Sequence, residues 1–191
     1  MSRPELREIA LPDPPGAWEA LGFTLDGDGI ALGGVRIRLG DGPARLALHG
    51  VDGAADLDGL PIASSTAPPP EPATHPLGAT GIDHVVALTP DLARTTRKLA
   101  AAGLDHRPSR APQEFFVLGP CLLELAEAAG REPSVWGLTL VVRDLDAAAS
   151  QLGERLGRVK DAVQPSRRIA TVAREAGLTT PVALMTPRTV R

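Results

Sequence analysis

The chain has 191 residues, and its 23 acidic and 20 basic side chains give a net charge of −3. This balance argues against a general nucleic-acid binder, because phosphate backbones attract proteins with a basic surplus. The single cysteine excludes an intrachain disulfide and a cysteine-rich zinc site. No apolar run approaches the roughly 20 residues of a membrane helix, and the first residues lack the apolar core of a signal peptide. The composition, rich in Ala, Gly, Pro and Arg but poor in Lys, is typical of a bacterial protein, for which we expect a cytoplasmic location.

Residues 1–60 predict an incomplete module of one strand, one helix and several further short strands. A strand is predicted at Glu8–Leu11, and the proline-started segment after it predicts a short helix that carries Trp18. Glycine turns separate three more predicted strands, at Ile30–Leu32, Val35–Leu39 and Arg45–His49.

Residues 61–80 predict a linker, because they contain six prolines and few large apolar side chains. Proline fixes φ and lacks an N–H group, so the segment is not expected to form a helix or an inner strand. We expect an extended, semi-rigid spacer between residues 1–60 and residues 81–191.

The C-terminal part contains an internal repeat, with copies at 81–130 and 135–187. Each copy begins with an alternating, β-branched run that predicts a strand, and a helix start follows at T-P-D or R-D-L-D. In the first copy Thr89 is the expected helix cap, and Asp91 aligns with Asp144 of the second copy.

Each copy continues with short strands that complete the pattern β-α-β-β-β. The better-defined ones are Glu114–Leu118, Cys121–Ala126, Arg168–Ala173 and Pro181–Thr186. Residues 104–108 and 158–163 are predicted to add one strand each. The sequence therefore predicts an α+β protein built from β-α-β-β-β modules.

Four segments of this repeat resemble the vicinal oxygen chelate superfamily. They are G-I-D-H-V-V-A-L-T-P-D-L, L-G-P-C-L-L-E-L-A-E, V-W-G-L-T-L-V-V-R-D-L-D-A-A-A and P-V-A-L-M-T-P. The superfamily includes glyoxalase I, extradiol dioxygenases, bleomycin- and fosfomycin-resistance proteins and many glyoxalase-like proteins. The resemblance implies that the two modules pair into a curved-sheet cup, with residues 1–60 as an incomplete third module.

The resemblance also implies where a metal site would lie, on the first and last strand of each module. In the first module these positions hold His84 and Glu124, whereas in the second the alignment puts Gly137 and Met185 there. Glycine and methionine are not ligands for a hard or borderline divalent ion. We therefore predict a degenerate metal site without a tightly bound cofactor, and the alternative is one divalent metal ion. His49 would add a third ligand only if residues 1–60 folded over the cup.

Six large or charged side chains are candidate ligand-binding residues: Phe115, Phe116, Trp136, Arg167, Arg168 and Met185. Adjacent strand residues point to opposite faces, so one phenylalanine and one arginine are expected to reach the cup. An arginine there would anchor an acidic group. The tryptophan and the methionine adjoin the lost ligand positions and favour an apolar or planar organic ligand, unless they only fill the core.

Two functions stay open from the sequence. The first is a glyoxalase-like protein that binds a small organic ligand, acidic if an arginine anchors it. The second is an enzyme of the same superfamily, a lyase, isomerase or dioxygenase, in which His84 and Glu124 are the catalytic residues, with a metal or as an acid/base pair. An imidazole–carboxylate pair would also satisfy both side chains without a metal. Because three modules are an odd number, we expect a homodimer in which the N-terminal modules pair.

Overall fold

A computed structural model describes residues 3–109 and 112–188 and contains two curved, open sheets with three α-helices in these ranges. The helices are α1 Pro15–Ala20, α2 Leu92–Ala101 and α3 Leu145–Leu152. The strands of the first sheet are β1 Glu5–Leu11, β2 Gly29–Leu32, β3 Val35–Leu39, β4 Arg45–His49 and β5 Ile62–Ser64. The strands of the second sheet are β6 Ala79–Thr89, β7 Asp105–Arg107, β8 Gln113–Leu118, β9 Cys121–Glu127, β10 Ser134–Val142, β11 Lys160–Asp161, β12 Arg168–Thr171 and β13 Val182–Met185. The predicted α+β class is confirmed.

The C-terminal sheet consists of two β-α-β-β-β modules joined at their first strands. Its strand order is β11-β12-β13-β10-β6-β9-β8-β7. In each module the first strand runs parallel to the last, since β6 pairs with β9 and β10 pairs with β13. The two first strands, β6 and β10, pair antiparallel in the centre. Helices α2 and α3 follow these central strands, so each connects the first strand of its module to the outer strands.

The two aligned aspartates cap the helices. Asp91 accepts a hydrogen bond from Arg94 N at 2.9 Å and begins α2, and the Asp144 carboxylate accepts two backbone N–H groups at the start of α3. The predicted cap at Thr89 is wrong, because this residue ends β6 and its hydroxyl lies 2.6 Å from Thr95 Oγ1. Aspartate is a preferred cap because its carboxylate accepts the unpaired N–H groups of the first turn.

The N-terminal sheet has the order β2-β3-β1-β4-β5. Strand β4 pairs antiparallel with β1, and β5 pairs parallel with β4. The pairing of β1 with β4 thus repeats, within one chain, the antiparallel pairing of β6 with β10. The segment predicted as a spacer at 61–80 contributes β5 and the first residues of β6, so its extended part is shorter than predicted. Edge strand β5 needs ladder bonds on one side only, which a proline-flanked segment can provide.

One apolar core joins the two sheets. It is almost entirely aliphatic and extends from Leu6 of β1 to Leu184 of β13. The buried carboxylate of Asp13, which is 1% exposed, accepts the N–H groups of Thr179 and Thr180 at 2.6 and 2.9 Å. Helices of the described ranges are all too short or too polar to span a membrane.

Candidate functional site

The concave face of the C-terminal sheet holds a cavity of about 240 Å³ between the two modules. Its polar lining includes His84, Glu124 and Thr139, and Trp136 and Ile169 are among its apolar walls. The side chains come from strands β6, β9, β10 and β12. Pairing of the two modules is therefore what brings the two halves of this lining together.

His84 is held at both ring nitrogens. Its Nδ1 lies 3.0 Å from Asp83 Oδ2, and its Nε2 lies 2.9 Å from Thr139 Oγ1. The Nε2 atom also lies 3.6 Å from Glu124 Oε2, which is an ion-pair distance but longer than a hydrogen bond. The two residues predicted as metal ligands or as an acid/base pair therefore lie together in the cavity. The closest polar partners of His84, however, are the Asp83 carboxylate and the Thr139 hydroxyl.

A β-bulge explains why Asp83 contacts its neighbour. In the ladder between β6 and β10, Thr139 opposes His84 while Leu140 opposes Ile82, so Asp83 is an extra residue on β6. Bulges re-aim side chains and interrupt the strict alternation of a strand. Alternation alone would have put Asp83 and His84 on opposite faces. Asp83 could not be identified from the sequence, because the bulge has no local signature.

Asp83 forms a buried ion pair with Arg167. Arg167 Nη1 lies 2.7 Å from Asp83 Oδ1, and both residues are at most 5% exposed. Arg167 also donates two hydrogen bonds to the Thr186 carbonyl oxygen, at 2.9 and 2.7 Å. Burial would raise the pKa of Asp83, but the hydrogen bonds from His84 and Arg167 and the charges of Arg167 and Arg188 outweigh it and lower the pKa to about 2. Asp83 is therefore an ionised carboxylate at neutral pH.

The two predicted arginines do not line the cavity. Arg167 is directed to Asp83, and Arg168 forms a bidentate ion pair with Asp146 of α3 at 2.9 and 2.7 Å. Lysine and arginine are absent from the described residues that line the cavity. The expected anchor for an acidic ligand is thus not formed by either residue.

The predicted apolar residues separate into different environments. Trp136 lines the cavity and is 48% exposed. Phe115 opposes Glu124 in the ladder and shares its face, whereas Phe116 is fully buried and stacks on His106 with ring centroids 5.0 Å apart. Met185 is 2% exposed and does not line the cavity, although its cross-strand neighbour Ile169 does.

Strand register revises one of the aligned metal positions. In the first module Val86 pairs with Glu124, and the corresponding pair of the second module is Thr139 with Ala183. Ala183, rather than Met185, is therefore equivalent to Glu124. Neither residue offers an oxygen or nitrogen ligand.

The donor groups do not fit a tightly held divalent metal ion. A catalytic site usually supplies three protein ligands, whereas here His84 Nε2 and Glu124 are the cavity-facing donors of the predicted set. At Gly137 a Cβ atom would lie 2.6 Å from the Pro181 carbonyl oxygen, so this position cannot accept a histidine without a backbone shift. His49 bonds to Ser65 O at 3.3 Å instead of lining the cavity. Within 3–109 and 112–188, no three His, Cys, Asp or Glu side chains form a possible metal site.

Comparison with family models found no match for this chain, and the comparison with curated proteins found none either. Many solved structures are similar. The Mn(II)-bound glyoxalase from Novosphingobium aromaticivorans is 12% identical with a TM-score of 0.64, and the match covers 97% of this chain and 83% of that one. Homoprotocatechuate 2,3-dioxygenase from Brevibacterium fuscum is also 12% identical, with a TM-score of 0.62 and coverage of 98% and 82%.

A methylmalonyl-CoA epimerase from Mycobacterium tuberculosis is 18% identical with a TM-score of 0.48, and the match covers 59% of this chain and 91% of the epimerase. At such identities the likeness concerns the fold. The glyoxalase and the dioxygenase align with nearly the whole chain, including the N-terminal sheet. The chain therefore has the fold of the vicinal oxygen chelate superfamily, as its sequence predicted.

Proposed function

We propose that this chain binds a small organic ligand in the concave cavity and that its metal site is degenerate. The observation that carries the proposal is Trp136, a large apolar side chain that is 48% exposed where it lines the cavity. Binding sites typically combine apolar walls with a few polar groups that orient the ligand. Here the indole is one wall, and His84, Thr139 and Glu124 supply the polar groups.

The donor set supports a ligand that binds without a metal ion. His84 Nε2 and Glu124 would be two ligands of such an ion, while Asp83 is engaged by Arg167 and by His84 Nδ1. Gly137 and Ala183 add no donor from the second module. A metal at this site would have low affinity, because few protein ligands hold it.

Tryptophan fluorescence tests this function directly. Planar aryl compounds are titrated into the protein in the presence of EDTA, and Trp136 is expected to report their binding. The other tryptophan, Trp18, is fully buried beside Asp13 and serves as an internal constant. Trp136→Ala should abolish the signal and weaken binding measured by calorimetry. Binding that occurs only after addition of a divalent metal ion would contradict the proposal.

A second candidate function is metal-free acid/base catalysis on the bound ligand. The observation that favours it is the fixed His84 ring, which is oriented by Asp83 and places Nε2 in the cavity 3.6 Å from Glu124. A positioned base accelerates proton transfer by about 10²- to 10⁴-fold.

Solvent exchange separates this candidate from simple binding. If the site catalyses proton transfer, the wild-type protein accelerates deuterium uptake from D₂O at the acidic C–H of an aryl ketone such as phenylacetone. NMR measures this uptake. His84→Gln should remove about 100-fold or more of that acceleration. An unchanged exchange rate with bound ketone would leave binding as the function and reject catalysis.

A further inference from the structure

We infer that the ligand presents hydrogen-bond donors, as an uncharged or cationic group, to two acceptors of the cavity, the Thr139 hydroxyl oxygen and the Glu124 carboxylate. This ligand class presupposes the binding function proposed above. It differs from the acidic ligand expected from the sequence. Asp83 and Arg167 are positioning residues in this arrangement, because neither lines the cavity.

The tautomer of His84 follows from its partners. The Asp83 carboxylate is paired with Arg167 at 2.7 Å and can only accept, so His84 Nδ1 carries the proton of the 3.0 Å hydrogen bond. In the neutral ring Nε2 is then an acceptor, and the Thr139 hydroxyl donates to it at 2.9 Å. The Thr139 oxygen then keeps its lone pairs for a donor group of the ligand.

The buried ion pair behind His84 keeps this arrangement in place. Arg167 holds Asp83 Oδ1 at 2.7 Å, which leaves Oδ2 for the imidazole. A buried ion pair is a weak source of stability, because desolvation offsets most of its attraction. Its position beside a bulge at the cavity assigns it an orienting role.

Glu124 adds the second acceptor. Its side chain is 20% exposed, and in the described part of the chain the His84 ring is the one basic group within 4 Å of its carboxylate. An acidic ligand would place its charge against Glu124 without a compensating arginine or lysine in the lining. A donor group such as an amidine, amide or alcohol would instead satisfy both acceptors.

Three matched aryl probes test the ligand class: benzamidine, benzamide and benzoate. Their affinities are measured by calorimetry at pH 7 with EDTA. We expect benzamidine to bind at least about tenfold more tightly than benzoate, because a charge-assisted hydrogen bond contributes that much. Glu124→Gln should remove most of this preference. Glu114→Gln is the matched control, since Glu114 pairs with His106 outside the cavity and should not change it.

Nitrogen NMR tests the tautomer without any ligand. The ring of His84, assigned with His84→Gln among the four histidines, should show a protonated Nδ1 and an unprotonated Nε2. In Asp83→Asn the single amide oxygen faces Arg167 and the amide N–H₂ faces Nδ1, so the tautomer should reverse. If that variant does not fold, the wild-type spectrum still decides between the tautomers.

Different experimental outcomes would reject either the ligand class or the binding function itself. Preferred binding of benzoate, lost in Trp136→Ala, would overturn the donor class but retain the cavity as a binding site. An Nε2-protonated or doubly protonated His84 in the wild-type spectrum would also overturn it. If none of the three probes binds, the proposed binding function fails and the ligand class fails with it.

Discussion

Asp83 links the candidate site to the stability of the fold. Its carboxylate is 4% exposed and lies between His84 and Arg167. The pKa of Asp83 is about 2 in the folded protein, below the ordinary value of 3.8. Because the pKa of Asp83 is lower in the folded protein, ionisation of this carboxyl group stabilises the fold at pH values above its ordinary pKa. This contribution is lost as the pH falls through the folded value.

Acid should therefore weaken the fold through Asp83. The pKa difference between 3.8 and about 2 corresponds to about 2 kcal/mol, which we expect to disappear between about pH 5 and pH 2. Urea unfolding at pH 6 and at pH 2.5 measures the loss. In Asp83→Asn the same pH change should cost about 1.5 kcal/mol less, because the folded Asp83 carboxyl is still partly ionised at pH 2.5. An equal loss in wild type and variant would show that Asp83 is not responsible.

Gly137 is a residue at which the backbone leaves no room for a side chain. Gly137→Ala should destabilise the protein by about 1–3 kcal/mol, because its Cβ would lie 2.6 Å from Pro181 O. Gly81→Ala is the control, since its nearest contact would be 3.9 Å away. Chemical denaturation of both variants provides the comparison. Equal stabilities would mean that β10 and the Pro181 turn can separate without cost.

At the scale of elements, His75 connects the proline-rich segment to the N-terminal sheet. Its Nδ1 accepts the Thr24 N–H at 3.1 Å, and its Nε2 donates to Ala31 O at 3.0 Å. The imidazole is 3% exposed, and its centroid lies 5.4 Å from that of Phe23. The buried His75 side chain thereby helps to attach a segment with little regular structure to the fold.

Loss of this attachment should be measurable. His75→Ala would remove the imidazole partner of the Thr24 N–H group and of the buried Ala31 carbonyl, so we expect a destabilisation of about 1–3 kcal/mol. His49→Ala is a matched control, because His49 is partly exposed and has a single 3.3 Å contact with Ser65 O. Urea denaturation at pH 7 should show a much smaller change for the control. Similar losses in both variants would argue that His75 has no special attaching role.

At the scale of the whole molecule, the N-terminal module pairs its strands within its own chain. The incomplete module was expected to need the same module of a second chain. Strand β4 instead pairs antiparallel with β1 inside one chain, and the buried side chains of both sheets form one core. The face that was expected to need a partner is therefore covered within the chain.

The oligomeric state can be measured by light scattering at micromolar concentration. We expect the mass of one chain, 19.9 kDa, because β1 already has its partner strand. Twice this mass would show that the protein is a dimer, and its interface would then involve surfaces other than the paired strands β1 and β4. A dilution series is the control, because the mass of a monomer does not change with concentration whereas a dimer dissociates.

Local patterns in the sequence were sufficient to determine most of the elements. Alternation and glycine turns predicted Val35–Leu39 and Arg45–His49 at their observed bounds, and the repeat aligned the two capping aspartates Asp91 and Asp144. These features depend on neighbours a few residues apart. The resemblance to the superfamily also rests on local features, since four short segments of the repeat carry it.

The composition of the candidate site was decided only by the tertiary structure. His84 and Glu124 were predicted, but Asp83 reaches His84 through a bulge, and Thr139 comes from the paired strand of the other module. One of Arg167 and Arg168 was expected in the cavity, but Arg167 is buried against Asp83 and Arg168 pairs with Asp146. Bulges and ladder register depend on which distant strands pair, and a shift of one residue exchanges the two faces of a strand. A sequence pattern defines the strands, whereas their pairing determines which side chains meet.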